Sequence, residues 1–213
     1  MDKLCSLSDV KTLLGIAQGD TSRDDRLNLF IKSASAKIEG YLGYSLGFGS
    51  YTEELHSVNN RQLLQLNHFP LRNVTAVSAN GVAVNDYKVI PEYSGWGRLY
   101  RGEGWTGPCF TRGFTHDIVS GAWVIKVSYS AGYYLPGDTN YVEGAEGSLP
   151  YDIVAACLQM VQLRYTYEEM GAIGIKSHHE GNISDTFGDN ACDAGLTEGV
   201  KTMLASYVWY GVA

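Results

Sequence analysis

Pro150-Tyr151-Asp152-Ile153-Val154-Ala155-Ala156-Cys157-Leu158-Gln159-Met160-Val161-Gln162-Leu163-Arg164-Tyr165-Thr166-Tyr167-Glu168-Glu169-Met170 is the stretch whose reading decides the fold. Proline suits the first turn of a helix, where its missing N–H costs nothing. Behind it, Ile153, Val154, Cys157, Leu158, Met160, Val161 and Tyr165 recur at three- and four-residue spacing. That spacing predicts a long central helix, apolar over more than a third of its circumference. Gln159, Gln162 and Thr166 mark its wetter side. Arg164 and Glu168 fall inside the apolar arc one turn apart, where they can pair with each other or across a subunit boundary. A helix apolar over so wide an arc needs partners on more than one side.

Working outward toward the N-terminus, Ser6 is an N-cap with Asp9 three residues on, ahead of Val10-Lys11-Thr12-Leu13-Leu14, and Gly15 closes that short helix. Asp24-Asp25 then suits the start of a second helix. Its stripe is Leu27, Phe30, Ile31, Ala34, Ile38, Tyr41 and Leu42, with Lys32, Ser35 and Glu39 placed away from it and Gly43 as its stop.

The period changes in the middle of the chain. Leu63-Leu64-Gln65-Leu66, Val74-Thr75-Ala76-Val77, Val82-Ala83-Val84, Tyr87-Lys88-Val89-Ile90, Arg98-Leu99-Tyr100-Arg101 and Trp123 to Tyr129 read as strands. Asn80-Gly81 is a hairpin turn between two of them. Tyr51 to Tyr133 is therefore one small antiparallel sheet inserted between helical segments. After Met170, Gly171 to Gly195 is a long Gly-rich loop, and Leu196, Val200, Met203, Leu204 and Tyr207 form a last helix ending near Tyr210. The fold class is α+β: a helical bundle with an inserted antiparallel β-region. The expected division is 1–50 (N-terminal helices), 51–134 (β-insertion) and 135–213 (central helix, loop 171–195 and C-terminal helix), the helical parts forming one core.

The chain has 213 residues, 45% apolar and 18% charged, which describes a folded protein with a real core. A net charge of -7, without a basic cluster, argues against a dedicated nucleic-acid-binding surface. Cys5, Cys109, Cys157 and Cys192 make no CxxC pair, which disfavours a zinc site or disulfide scaffold and points to a reducing compartment. The first residues lack an apolar run of signal-peptide length, and the expectation is a soluble protein.

Candidate chemistry is sparse. His178-His179-Glu180, with Asp185 and Asp189 nearby, is the one cluster resembling metal ligands. Adjacent histidines on an extended chain point to opposite sides, so a solvated loop is the better reading. His56, His68 and His116 sit apart in the β-region with no nucleophile motif beside them, and Asp24-Asp25 and Glu168-Glu169 do not converge. No catalytic, cofactor or metal residue is assigned. The tyrosines, with Trp96 and Trp105 on Gly-rich loops, fit either a protein interface or a carbohydrate-binding, cell-wall-acting module. A metal-dependent enzyme built on His178 and His179 is the weakest alternative.

Several stretches resemble the phage head–tail connector (head-completion or adaptor) family. They are Leu7-Ser8-Asp9-Val10-Lys11 through Leu14-Gly15-Ile16, Asp24-Asp25, Ile38-Glu39-Gly40-Tyr41-Leu42-Gly43 and Phe69-Pro70-Leu71-Arg72-Asn73-Val74. The Asn80-Gly81 hairpin, Val127 to Tyr133, Leu149-Pro150, Ala155-Ala156 and Gly181 to Phe187 continue the likeness. The resemblance implies a virion protein of the neck, without enzymatic activity or cofactor. Its ring, dodecameric in the family pattern, would sit beneath the portal protein and extend the DNA channel without sequence-specific binding. Its other face would meet a stopper or tail-completion protein.

Within 171–195, Ile173, Ile175, Ile183 and Phe187 are spaced apolar anchors, and Ile183-Ser184-Asp185-Thr186-Phe187 alternates as a short strand does. The glycines and scattered charges bury too little to order the segment alone. It is expected to order on assembly, by adding a strand to a neighbour or docking on the portal. Each buried large side chain would return roughly 1.5–3 kcal/mol. Phe187→Ala should weaken docking and leave the thermal stability of the helical core almost unchanged. Full hydrogen-exchange protection of 171–195 in the free subunit would contradict this.

Overall fold

The first helix, α1 (Leu7–Leu14), begins where the Ser6 hydroxyl accepts from the Asp9 N–H at 3.1 Å and stops at Gly15, whose φ of 69° only glycine adopts without strain. The structure, a computed structural model, describes residues 3–57, 61–79, 81–90, 95–105, 124–170, 177–180, 183–186 and 196–208. These fall into two compact units: residues 1–44 with 134–213, and residues 45–133.

In the first unit, α1 is followed by α2 (Asp24–Leu42), α3 (Tyr151–Glu169), the short α4 (Glu198–Leu204) and a 3-10 turn at Ala205–Tyr207. Pro150 stands just before α3 rather than inside it, and its carbonyl accepts the Ile153 N–H at 3.1 Å. Helix α3 buries Ile153, Val154, Ala156, Cys157, Met160 and Val161 and packs on α1, α2 and α4. That is the several-sided burial its sequence predicts. Helix α2 buries Leu27, Phe30, Ile31, Ala34, Ile38 and Leu42 as expected.

Ser35 corrects the reading of α2. It is fully buried, because its hydroxyl accepts the Leu4 N–H at 3.0 Å and lies 3.9 Å from Cys157 Sγ. A buried hydroxyl is tolerated when it has a partner, and here that partner is a backbone group 31 residues away. Leu4 and Cys5 are thereby drawn into the core, with Cys5 Sγ 3.4 Å from Cys157 Sγ as free thiols. Lys11 is also buried; its ammonium donates to the carbonyls of Gln18 and Asp20 and lies 2.6 Å from the Asp24 carboxylate, tying α1 to the start of α2. The last helix is shorter than predicted, and Tyr210 lies outside the described residues.

Among the described residues, the second unit contains two sheets rather than the one expected. A four-stranded antiparallel sheet runs β1 (Gly49–Ser57), β7 (Val124–Ala131), β3 (Leu71–Ala79), β4 (Val82–Ala83). A three-stranded sheet runs β2 (Leu63–Gln65), β6 (Arg98–Arg101), β5 (Tyr87–Val89). Both feed one core containing Leu64, Leu99, Trp105, Val127 and Tyr129. Of the expected hairpin turn, Asn80 lies outside the described residues, while Gly81 has φ 79° and β3 pairs with β4 around it.

Within the Gly-rich stretch, residues 177–180 and 183–186 form a hairpin, β8 (Ser177–Glu180) with β9 (Ile183–Thr186). The strand predicted at Ile183 pairs with residues 177–180 of its own chain, with Ile183 opposite Glu180. Ile173, Ile175, Phe187, Asp189, His116, Cys109 and Cys192 lie outside the described residues.

Gly132 closes the second unit's four-stranded sheet. Its φ is 100°, and a Cβ there would overlap the Gly47 carbonyl oxygen and lie 2.9 Å from Phe48 Cα. Gly132→Ala should destabilise this unit by about 2–4 kcal/mol, combining backbone strain with overpacking. Thermal denaturation of the variant checks it, and an unchanged transition would show that the turn relaxes freely.

Candidate interaction surface

Strand β1 carries polar residues where a strand of a sandwich would carry apolar ones, and a bulge explains why. The register shifts between Tyr51 and Glu54, with Glu53 at φ 51° and its N–H donated to Ser128 Oγ at 3.0 Å. One extra residue reverses the in–out alternation of a strand. Leu55 is therefore 49% exposed, while Glu54 and His56 turn toward the core. The Glu54 carboxylate accepts from the Tyr129 hydroxyl at 2.8 Å, and the Tyr129 oxygen accepts the His68 N–H at 3.3 Å. His68 Nε2 stands 3.5 Å from the same carboxylate, and its ring stacks on Tyr51 at 3.7 Å. His56 Nε2 lies 2.7 Å from Glu54 Oε1, although outside the angular range of a ring N–H hydrogen bond.

Two histidines separated in sequence thus meet one carboxylate, a convergence that spacing alone did not reveal. The cluster ties β1 to β7 and to the 67–69 turn. It holds no nucleophile, and among the described residues no group of three or more His, Cys, Asp or Glu is arranged to bind a metal. Burial and the neighbouring Glu54 push the Tyr129 phenol far up. Burial also holds His56 below its ordinary value, against the opposing pull of Glu54.

Trp96 and Trp105 do not form an exposed platform. Trp105 is fully buried with its indole N–H donated to the Leu99 carbonyl at 3.2 Å, and Trp96 is half-buried beside Phe69. Trp105 is unavailable to a sugar, and the carbohydrate-binding alternative loses its main support. His178 and His179 lie in β8, paired in register with Asp185 and Ser184.

The helical unit carries the other concentration of charge, along the seam where α2 meets α3. Arg164 lies over the Phe30 ring, 5.0 Å from its centroid, and donates to Ser33 Oγ at 3.4 Å. Arg26 lies over Phe30 as well and pairs with Glu168 at 2.9 Å. Arg23 pairs with Glu169 at 3.5 Å and bonds the Tyr165 hydroxyl. Arg164 and Glu168 are therefore both held by α2 rather than by each other. The Nε atoms of Arg26 and Arg164 and Oε2 of Glu168 are buried without a hydrogen-bond partner among the described residues. Pairs this exposed add little to stability, so the seam matters more for what it positions than for its energy.

The depressed His56 makes the β-unit acid-sensitive. The unfolded chain takes up a proton near pH 6.5 that the folded site resists, so stability is fully present above that pH and falls as pH drops below it. His56→Gln should flatten the decline in melting temperature between about pH 7 and 5. An unchanged slope would show that other groups set it.

The head completion protein family matches residues 3–207. Among solved structures, a chain from the neck of an empty gene transfer agent particle, computed with C6 symmetry, has a TM-score of 0.52 at 17% identity. The alignment covers 99% of this chain and 92% of that one. A chain from the neck of the native particle, computed with C12 symmetry, has a TM-score of 0.51 at 16% identity, covering 99% and 91%. These likenesses establish a shared fold. Among curated proteins no relative matches the sequence. Matched over nearly its whole length, the chain belongs to the head completion protein family.

Proposed function

We propose that this chain is one subunit of a homo-oligomeric ring that lies beneath the portal, continues the DNA channel and links the capsid to a stopper or tail protein, with no catalytic role. The family match over residues 3–207 carries the reading. The C12 symmetry of one neck with the same fold favours twelve copies, and the C6 symmetry of the other is compatible with that number. A chain of net charge -7, repeated around a ring, repels the DNA backbone and favours passage over grip.

In this reading the seam around Arg164 and Glu168 lies at or near a subunit boundary, where the partly exposed Arg26–Glu168 and Arg23–Glu169 pairs are within a neighbour's reach. Ile173, Ile175, Ile183 and Phe187 dock on the portal or on a neighbouring copy. Arg164→Glu should raise the concentration for half-assembly about tenfold or more, as expected for reversing a charge at an interface. Arg164→Met keeps a packing stem over Phe30 and separates loss of charge from loss of contact. Native mass spectrometry on the portal checks both. Assembly of the Arg164→Glu chain like the parent would place the boundary elsewhere. Replacing His178, His179 and Glu180 with alanine should leave assembly intact, and loss of a hydrolytic activity or of stoichiometric zinc would overturn the non-catalytic reading.

A further inference from the structure

The helical unit holds a groove of about 470 Å³ between α1, the 136–143 loop and α3. Its apolar wall is Leu13, Val154 and Leu158, and Leu13 remains 43% exposed. Asp9 and Glu143 stand in the same groove, and neither carboxylate is in an ion pair among the described residues. Their charge reaches the groove's interior: burial, then Glu143 and Asp9, hold the Tyr141 phenol above its ordinary value. The groove therefore suits a side chain that is apolar at one point and cationic close by.

A matching surface lies on a different face of the same unit. Leu29, Lys32, Ala36 and Gly40 follow one another at three- and four-residue spacing along α2, away from its buried stripe. Leu29 is 62% exposed, an unusual position for a leucine on an otherwise well-buried helix. Lys32, one turn on, is exposed and has no ion pair among the described residues. Ala36 and Gly40 leave room for a second backbone to approach. Beside this stripe, Ser33 and Phe30 hold Arg164 of α3.

We propose that α2 of one subunit docks in the groove between α1 and α3 of the next, with Leu29 against Leu13, Val154 and Leu158 and the Lys32 ammonium between the carboxylates of Asp9 and Glu143. The occupant is a second copy because both halves of the match, apolar and ionic, are present on one chain and on different faces. A contact between unlike faces repeats from copy to copy and forms a ring when its rotation closes, whereas a contact between like faces stops at a dimer. The inference rests on the ring reading above and specifies its interface.

Cysteine crosslinking tests it in the full chain. In a Cys109→Ser, Cys192→Ser background that keeps the buried Cys5 and Cys157, Leu13→Cys and Leu29→Cys are introduced singly and together. A short bismaleimide is added under conditions where mass photometry detects the ring on the portal. The double variant should give a ladder of covalent multimers, and each single variant should remain monomeric. A ring without a ladder would overturn this interface and leave the ring reading standing. No ring from the parent chain would remove both. A charge exchange provides an independent arm: Lys32→Glu should raise the half-assembly concentration about tenfold. Adding Asp9→Lys and Glu143→Lys to that chain should restore most of the loss. Unchanged assembly of the Lys32→Glu chain would also overturn the proposal.

Discussion

The packed face between α2 and α3 is the constraint on which the helical unit depends. Phe30, Ile31, Ala34 and Ile38 from one helix and Ile153, Cys157, Met160 and Val161 from the other are all nearly or fully buried. At roughly 1.5–3 kcal/mol for each large apolar side chain, this face outweighs any ionic contact at its edge. It also fixes the seam, because Arg26, Phe30 and Ser33 project from α2 at the spacing that meets Arg164 and Glu168 on α3. Ser35, Leu4 and the Cys5–Cys157 contact then add the N-terminal segment to the same core. A connector subunit needs such a frame, because surfaces that recognise neighbours must hold their spacing when assembled.

In the β-unit the corresponding device is the bulge in β1. It costs the unit a leucine from its core and places a carboxylate and a histidine there instead. Such a site is tolerable because Glu54 is satisfied by the Tyr129 hydroxyl and faced by two histidines. Trp105 and Leu99 fill the middle of the core, and the Trp105 N–H finds a backbone carbonyl. The unit thus combines an ordinary apolar centre with one polar latch.

The helices were largely legible in the sequence, because Leu27 to Leu42 and Ile153 to Val161 each carry a 3.6-residue period that only one structure satisfies. Helix ends at Gly15 and Gly43 followed for the same local reason, since both adopt positive φ. Strand β1 was not legible: Leu55 points outward, Glu54 and His56 inward, and a bulge has no sequence period. Ser35 was misplaced because a partner 31 residues distant satisfies it. Trp105 sits on a Gly-rich loop, which suggests exposure, yet tertiary packing closes over it. The Arg164–Glu168 spacing suggested a pair between the two, whereas each is held by a residue of α2, Arg164 by Ser33 and Phe30 and Glu168 by Arg26. The groove between α1 and α3 is built from three separate segments and leaves no mark in any one of them.

The central claim is that the chain occupies the head–tail junction as a closed ring. Electron cryo-microscopy of intact particles, with the chain identified in the density by its two units, tests this most directly. The account predicts a ring of copies between portal and tail, each placing unlike faces of its helical unit against its neighbours. Finding the chain as isolated copies, or away from the junction altogether, would contradict it.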